Sequence, residues 1–494
     1  MSSGAEITPH RTPVSEHELE EVIVDTRPIA LVLLSRSVRP FILAAGALAF
    51  ILLMRATPPA GLSVVAERAL AVFAIAVIYW VTGVLPLMVT SLFVLVLLGA
   101  SGVMPVRSAY ALFGNEAIFF ILAAFMLAAA VSHRGLGRRV ALKVFSRFGR
   151  TPGALLRSVF LLSALMSFVI PEHAVAAMVF PIVLDLAVSM ELKPGHSLYA
   201  TALFLAMAWG VNIGGVATLL GGARGPLALG ILNEATGQTL SFTRWSTATV
   251  PLVAALLAAG YTVLRLWFPA DLETVDAREM AARAAALGRM TFEEKAVAAI
   301  LTLTVLAWLF FSETWGFAGI AILAVVALFV FNLLSWNEVE EYVNWGIILM
   351  YGGAIALGAA LEKTGAAGYL AHLMLGHTAS LLLKLAILSL AAILLSEALS
   401  HSAVVAALVP VALGLANRFG LDPRALMLTV AVPAGLTFIL PVGTPANALA
   451  YSGGYLRTRD LILPGAVMLF SAWLALNLLI RFYWPLIGLS IHPG

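Results

Sequence analysis

The chain interrupts its long apolar runs at polar sites, and it does so twice in register. Asn115 opens an apolar run, and Pro171-Glu172-His173 breaks the next one. Asn344 opens another, and Ser400-His401-Ser402 breaks its counterpart at the same distance along the chain. The sequel also matches: Ala174-Val175-Ala176-Ala177 and Pro181 in the first case, Ala403-Val404-Val405-Ala406 and Pro410 in the second, with one offset throughout and no gap. Lipid offers no partner to exposed N–H and C=O groups. A break at membrane depth is tolerated only inside protein or against an aqueous cavity. Two related halves with such breaks predict an all-α polytopic membrane protein, an inverted-repeat secondary transporter with its solute held where the helices break.

Composition points the same way. Of the 494 residues 61% are hydrophobic and only 11% charged, too little polar material to cover a soluble core of this size. There is no cysteine, which excludes disulfides, thiolate metal ligands and thiol catalysis. A net charge of only +3 argues against a nucleic-acid surface. Residues 1–39 begin with a polar, Glu-containing stretch and no secretory core, so they read as a flexible cytoplasmic N-terminal segment.

Apolar runs long enough to cross a bilayer fall near 40–57, 66–83, 85–103, 115–133, 200–220, 247–268, 296–312, 317–334, 342–362, 425–440 and 461–483, about 11 transmembrane helices. The stretches 153–190 and 380–416 are broken midway into halves too short to cross, and read as two re-entrant hairpins. The first repeat then spans 40–269, a cytoplasmic linker 270–295 and the second, inverted repeat 296–494. Arg134, Arg138, Arg139, Lys143, Arg147 and Arg150, with Arg278, Arg283, Arg289 and Lys295, put both charged connectors and the N-terminus on the cytoplasmic side of an inner membrane. Arg139, Lys143, Arg147 and Arg150 are spaced 4, 4 and 3 apart and predict an amphipathic helix with a basic stripe on the inner membrane face.

The chemistry lies at four breaks. At each hairpin tip a helix begins, and its free N–H groups and positive dipole end favour an anion. His173, Ser400, His401 and Ser402 can add side-chain donors, while Ser400 and Ser402 are also suited to capping. Glu172 is costly at mid-bilayer. It reads either as a coupling group that takes a proton beside a bound anion, or as a partner of His173, His401 or Arg224. Arg224 lies in the first unwound stretch, between Gly222 and Gly225. It suits bidentate binding of a carboxylate or sulfate, or else pairing with Glu172 or Asp185. Gly221 and Gly443 mark where the two unwound segments would sense a coupling ion, Na+ or H+, and Thr444 and Asn447 offer neutral groups in the second. Glu172, His173, Glu397 and His401 would be the donors of a metal site, but no HExxH motif accompanies them.

At these positions the chain resembles the divalent anion:sodium symporter (DASS) family, carriers of dicarboxylates, citrate or sulfate, over nearly everything after residue 40. Ser396-Glu397-Ala398-Leu399-Ser400-His401-Ser402 is similar to the family's Thr-Glu-x-x-Ser-Asn-Thr. Val442-Gly443-Thr444-Pro445-Ala446-Asn447 is similar to its second unwound loop, and Gly214-Gly215-Val216-Ala217-Thr218-Leu219-Leu220-Gly221 to the run entering the first. Both Ser-Asn-Thr motifs are lost, one to Pro171-Glu172-His173 and one to Ser400-His401-Ser402, and Gly222-Ala223-Arg224-Gly225 stands where the family has Thr-Pro-Pro-Asn. In the family the tip asparagines help hold sodium and cargo carboxylates. The resemblance implies an elevator mechanism, a homodimer and no cofactor beyond a coupling ion. The expectation is a cation-coupled carrier of a small anion such as a dicarboxylate or sulfate. An anion channel, an uncoupled exchanger, a metal-bearing membrane protein and a cation exporter are the alternatives.

Overall fold

In the computed structural model, residues 29–59, 61–149, 151–270, 278–375 and 380–489 are described. The expectations for residues 1–28 and for Arg150 lie outside them. After α1 (Ile29–Arg55) come α2 (Val64–Thr82), α3 (Leu87–Ala100), α4 (Val106–Ala111), α5 (Glu116–His133), α6 (Leu136–Phe148), α7 (Pro152–Ser167), α8 (Glu172–Ser189), α9 (Leu198–Gly214), α10 (Arg224–Thr236) and α11 (Phe242–Trp267). Then α12 (Arg278–Ala286) is followed by α13 (Phe292–Trp315), α14 (Phe317–Val330), α15 (Trp336–Tyr342), α16 (Trp345–Lys363), α17 (Ala366–Leu375), α18 (Leu381–Ala398), α19 (His401–Phe419), α20 (Pro423–Ala431), α21 (Pro445–Ser452) and α22 (Thr458–Leu478).

The sequence interval reappears in these elements. From α2 and α13 to α8 and α19, paired helices start at the offset that separates Asn115 from Asn344, give or take a single position. Their ends are set by equivalent residues. Asn115 caps α5 by accepting the Ala117 N–H at 2.9 Å, and Asn344 caps α16 through the Ile347 N–H at 3.2 Å. Pro181 and Pro410 lie inside α8 and α19.

Ten helices among the described residues are long and apolar enough to cross a membrane. They include α8, α18 and α19, of 18, 18 and 19 residues. The limbs are therefore longer than the expected half-spans, because each break is confined to a short turn. The run at 425–440 departs in the other direction. It is helical only to Ala431, makes one tight turn at Pro433–Gly435 and then runs without regular structure to Thr444. Pro433 and Pro441 have no N–H to continue the helix.

Packing interleaves the two halves. α3 packs on α16 and α14 on α5. The helices after the unwound segments also change sides, α10 against α16 and α19, α21 against α8 and α9. Within the first half α7 and α9 approach closely. A side chain at Gly214 would place its Cβ 2.2 Å from the Ala164 carbonyl oxygen, so only glycine fits there.

The expected basic stripe on α6 does not form. Arg139 is 4% exposed and turns inward. Its Nε donates to Glu294 Oε1 at 2.6 Å, and its Nη groups donate to the carbonyls of Leu287 and Gly288, each at 2.9 Å. Thr291 and Glu294 form a capping box that starts α13 and holds this carboxylate in place. Lys143 and Arg147 remain exposed.

Candidate anion site at the helix breaks

Four helices begin at the breaks. α8 starts at Glu172 after Pro171, and α19 at His401 after Ser400. α10 starts at Arg224 and α21 at Pro445, each after an unwound segment. Proline at the helix start costs no hydrogen bond, and serine or threonine supplies the cap. Ser400 Oγ accepts the Ala403 N–H at 3.2 Å, and Thr444 Oγ1 accepts the Asn447 N–H at 3.1 Å.

The first three starts meet. Arg224 Nη1 lies 3.0 Å from Glu172 Oε2 and 3.4 Å from His401 Nδ1. His401 Nδ1 also stands 3.4 Å from Glu172 Oε1. One carboxylate is thus held between a guanidinium after the first break and an imidazole from the second tip. The ring tautomer sets its partner: with a hydrogen on Nδ1 it donates to the Glu172 carboxylate, and as a bare nitrogen it accepts from Arg224. Arg224 is 2% exposed and His401 7%. The Glu172 N–H donates to the Gly221 carbonyl at 2.9 Å, tying the tip to the unwound segment.

The guanidinium lies in a slot that admits no added carbon. A Cβ at Gly222 would sit 2.2 Å from Arg224 Nη1, and one at Gly435 would sit 2.1 Å from its Nε. Tyr351 of α16 donates its hydroxyl to the Ala223 carbonyl just before it. Two nitrogens of the cluster, Arg224 Nη2 and His401 Nε2, are buried without a protein partner. Such groups are costly to leave unpaired; Arg224 Nη2 suits a bound anion as it stands, and His401 Nε2 does so where it bears a hydrogen.

The second unwound segment is fixed from both sides. Glu397 Oε1 accepts the Phe438 N–H at 2.7 Å and Oε2 the Leu440 N–H at 2.7 Å, with the Ile439 N–H shared between them. From α9, Asn212 Nδ2 donates to the Thr437 carbonyl at 2.9 Å and Trp209 Nε1 to the Phe438 carbonyl at 3.3 Å.

The other expected residues divide. His173 does not join the cluster: its ring packs edge-on against Phe125, centroids 5.3 Å apart, because it leaves α8 toward α5. Ser400 is exposed and acts as a cap, whereas Ser402 is buried. Asn447 spans the second segment, accepting from Asn212 Nδ2 at 3.1 Å and donating to the Leu440 carbonyl at 3.2 Å. Gly221 is pressed against the backbone of Gly215 and Ser167, and Gly443 lies beside the Glu397 carbonyl. Asp185 pairs with Arg283, not with Arg224. Glu397 has both oxygens on backbone N–H groups, and among the described residues no three His, Cys, Asp or Glu side chains form a metal-holding group. Trp209, Asn212, Tyr351 and Gly435 were not expected at the site. Asn212 carried a readable signal, a carboxamide inside an apolar run.

Comparison with known proteins agrees with this architecture. Residues 39–490 match the family model described as the sodium:sulfate symporter transmembrane region. The sodium-dependent dicarboxylate transporter SdcS of Staphylococcus saprophyticus is 27% identical over 476 residues, 90% of this chain and 92% of that protein. SdcS of Staphylococcus aureus strain bovine RF122 is 25% identical over 84% of this chain and 85% of its own. Two solved structures share the fold at 15% identity. MtrF of Neisseria gonorrhoeae, described within a class of antimetabolite efflux pumps, has a TM-score of 0.57 and covers 81% of this chain and 87% of its own. The YdaH transporter of Alcanivorax borkumensis has a TM-score of 0.52 and covers 77% of this chain and 88% of its own. With its interleaved helical halves and a family match across nearly its whole length, the chain belongs to the sodium:sulfate symporter (DASS) family, a family of multi-pass membrane transporters, not enzymes.

Proposed function

We propose that the chain is a cation-coupled secondary carrier of small anions, of the class that includes short dicarboxylates and sulfate. The observation that carries this reading is the Glu172 carboxylate between Arg224 Nη1 and His401 Nδ1. The cluster already holds one carboxylate between groups from both halves of the chain, and two buried nitrogens beside it, Arg224 Nη2 and His401 Nε2, lack a protein partner. Helix starts at His401 and Arg224 add their positive ends.

In this reading the tips of 153–190 and 380–416 are re-entrant within inverted repeats 40–269 and 296–494, joined by the linker 270–295. A homodimer in the inner membrane, with its N-terminus in the cytoplasm, moves the site by an elevator-type displacement. Sodium drives uptake, as the names of the SdcS relatives suggest by analogy. Glu172 adds a second route, since a proton on it relieves the repulsion of an anion bound beside it at Arg224. The test is uptake of labelled succinate and sulfate into proteoliposomes. Saturable uptake driven by an inward sodium gradient at fixed pH supports sodium coupling, and uptake driven by a pH gradient supports the proton route. Flux that never saturates, accompanied by single-channel currents, would replace the carrier with an anion channel.

A further inference from the structure

Glu172 sits in the cluster where a cargo carboxylate would be expected. Its two oxygens face groups from different parts of the chain, Arg224 of α10 and His401 of α19. Its backbone is held at the break, because its own N–H donates to the Gly221 carbonyl. At the equivalent position of the other half stands His401 itself. One half thus brings the anion and the other a donor for it.

The neighbouring charges decide what this means. Around Glu172 are Arg224 on α10, His401 on α19, His173 on α8 itself and the Tyr351 hydroxyl of α16 on the adjoining Ala223 carbonyl. Glu397 of α18 is committed to the backbone of 438–440. Among the described residues around Glu172, Arg224 is then the one permanent cation, and Glu172 already offsets it. The groups left for a cargo are Arg224 Nη2, the helix start at His401 and, where it bears a hydrogen, His401 Nε2, enough for one anionic group. A second negative charge would lie against Glu172 with little water to screen it.

We infer that Glu172 is a resident carboxylate that counts as one of the negative charges the site can hold, so that the ionised site selects singly charged anions and a dianion enters only together with a proton on Glu172. The inference rests on the carrier reading above and narrows its cargo. It makes Glu172 a specificity-determining residue.

Two probe pairs test it in proteoliposomes: methanesulfonate against sulfate, and propionate against succinate. Methanesulfonate and sulfate keep their charges between pH 6 and 8, so any change in their ratio belongs to the protein. The wild type at pH 8 should half-saturate with methanesulfonate at a concentration about tenfold or more below sulfate. Acidification to pH 6 should close that gap. Glu172→Gln should take sulfate at pH 8 as the wild type does at pH 6, with no remaining dependence on pH. Glu172→Asp, which keeps the charge, should retain the preference for the monoanion, and it serves if the glutamine variant does not fold. A wild type that prefers sulfate and succinate at pH 8, or a folded Glu172→Gln that keeps the wild-type ratio and pH response, overturns the inference. The latter result would move the proton to His401 or His173. If no probe saturates the wild type, the carrier reading falls first and this inference with it.

Discussion

Trp209 and Phe438 are 229 residues apart, the repeat interval itself, and the indole N–H of one donates to the carbonyl of the other at 3.3 Å. The contact ties α9 to the second unwound segment, a seam between the two. On that seam Glu397 gathers the N–H groups of residues 438–440, while Asn212 and Trp209 gather carbonyls of 437 and 438. An irregular backbone at membrane depth is kept because these N–H and C=O groups have protein partners.

Glu397 should therefore matter for architecture before cargo. Glu397→Ala leaves three consecutive N–H groups unpaired, that of Phe438 fully buried, and should destabilise the protein by about 3 kcal/mol. Glu397→Gln should cost less, because the amide oxygen still accepts while its NH2 group faces a donor. Thermal melting in detergent checks both. A melting temperature equal to wild type in Glu397→Ala would show that the segment does not need this carboxylate.

Arg224 carries the second prediction. Arg224→Ala should raise the half-saturating concentration of a transported anion by about 100-fold, the loss of a buried charge-assisted partner. It should also destabilise by about 3–5 kcal/mol, since Glu172 is left as an uncompensated buried charge. Removing both partners in Arg224→Ala/Glu172→Ala should recover most of the stability but not the affinity. A double variant as unstable as the single one would show that the pair is not what holds the tip to the break.

The helix plan was legible because apolar runs and their breaks follow directly from burial in lipid, and Asn115 and Asn344 stood in the sequence as the openers of two matched runs. The meeting of Glu172, Arg224 and His401 was legible only as a set of alternatives. Glu172 could pair with either imidazole, and only the path of α8 sends His173 toward Phe125 and leaves His401 at the carboxylate. The basic stripe of α6 failed for a similar reason. Periodicity gives the face on which Arg139 lies, but not that Glu294, far along the chain, is brought to that face. Gly435 was unreadable, since its role exists only where Arg224 lies across it.

Gly435→Ala tests that slot without touching a charge. The added Cβ would fall 2.1 Å from Arg224 Nε and close to the whole guanidinium, so the side chain must move out of its plane. Residue 435 is not in the left-handed backbone region, so alanine brings no backbone strain of its own. Transport should fall by about tenfold or more while the melting temperature drops only modestly, because overpacking of this kind costs about 1–3 kcal/mol. Full transport in Gly435→Ala would mean that Arg224 works from another position.

Away from the membrane-spanning helices, Arg134 and Glu338 give a prediction with a pH sign. Arg134 Nη2 meets Glu338 Oε1 at 3.2 Å and Oε2 at 3.3 Å, and its Nε donates to the Leu333 carbonyl at 2.9 Å. Burial alone would push the Glu338 carboxyl up. The Ser335 N–H and hydroxyl, together with the Arg134 charge, outweigh burial and hold the carboxyl below its usual range. A carboxylate depressed by folding contributes stability that is present above its unfolded pKa and is lost as pH falls through its folded value. Wild-type protein should therefore lose melting temperature as acid protonates Glu338. Arg134→Ala should start lower, by about 1–2 kcal/mol for a half-buried pair, and lose less over the same range. Parallel acid melting curves for the two proteins would show that Arg134 does not set the acid response of Glu338.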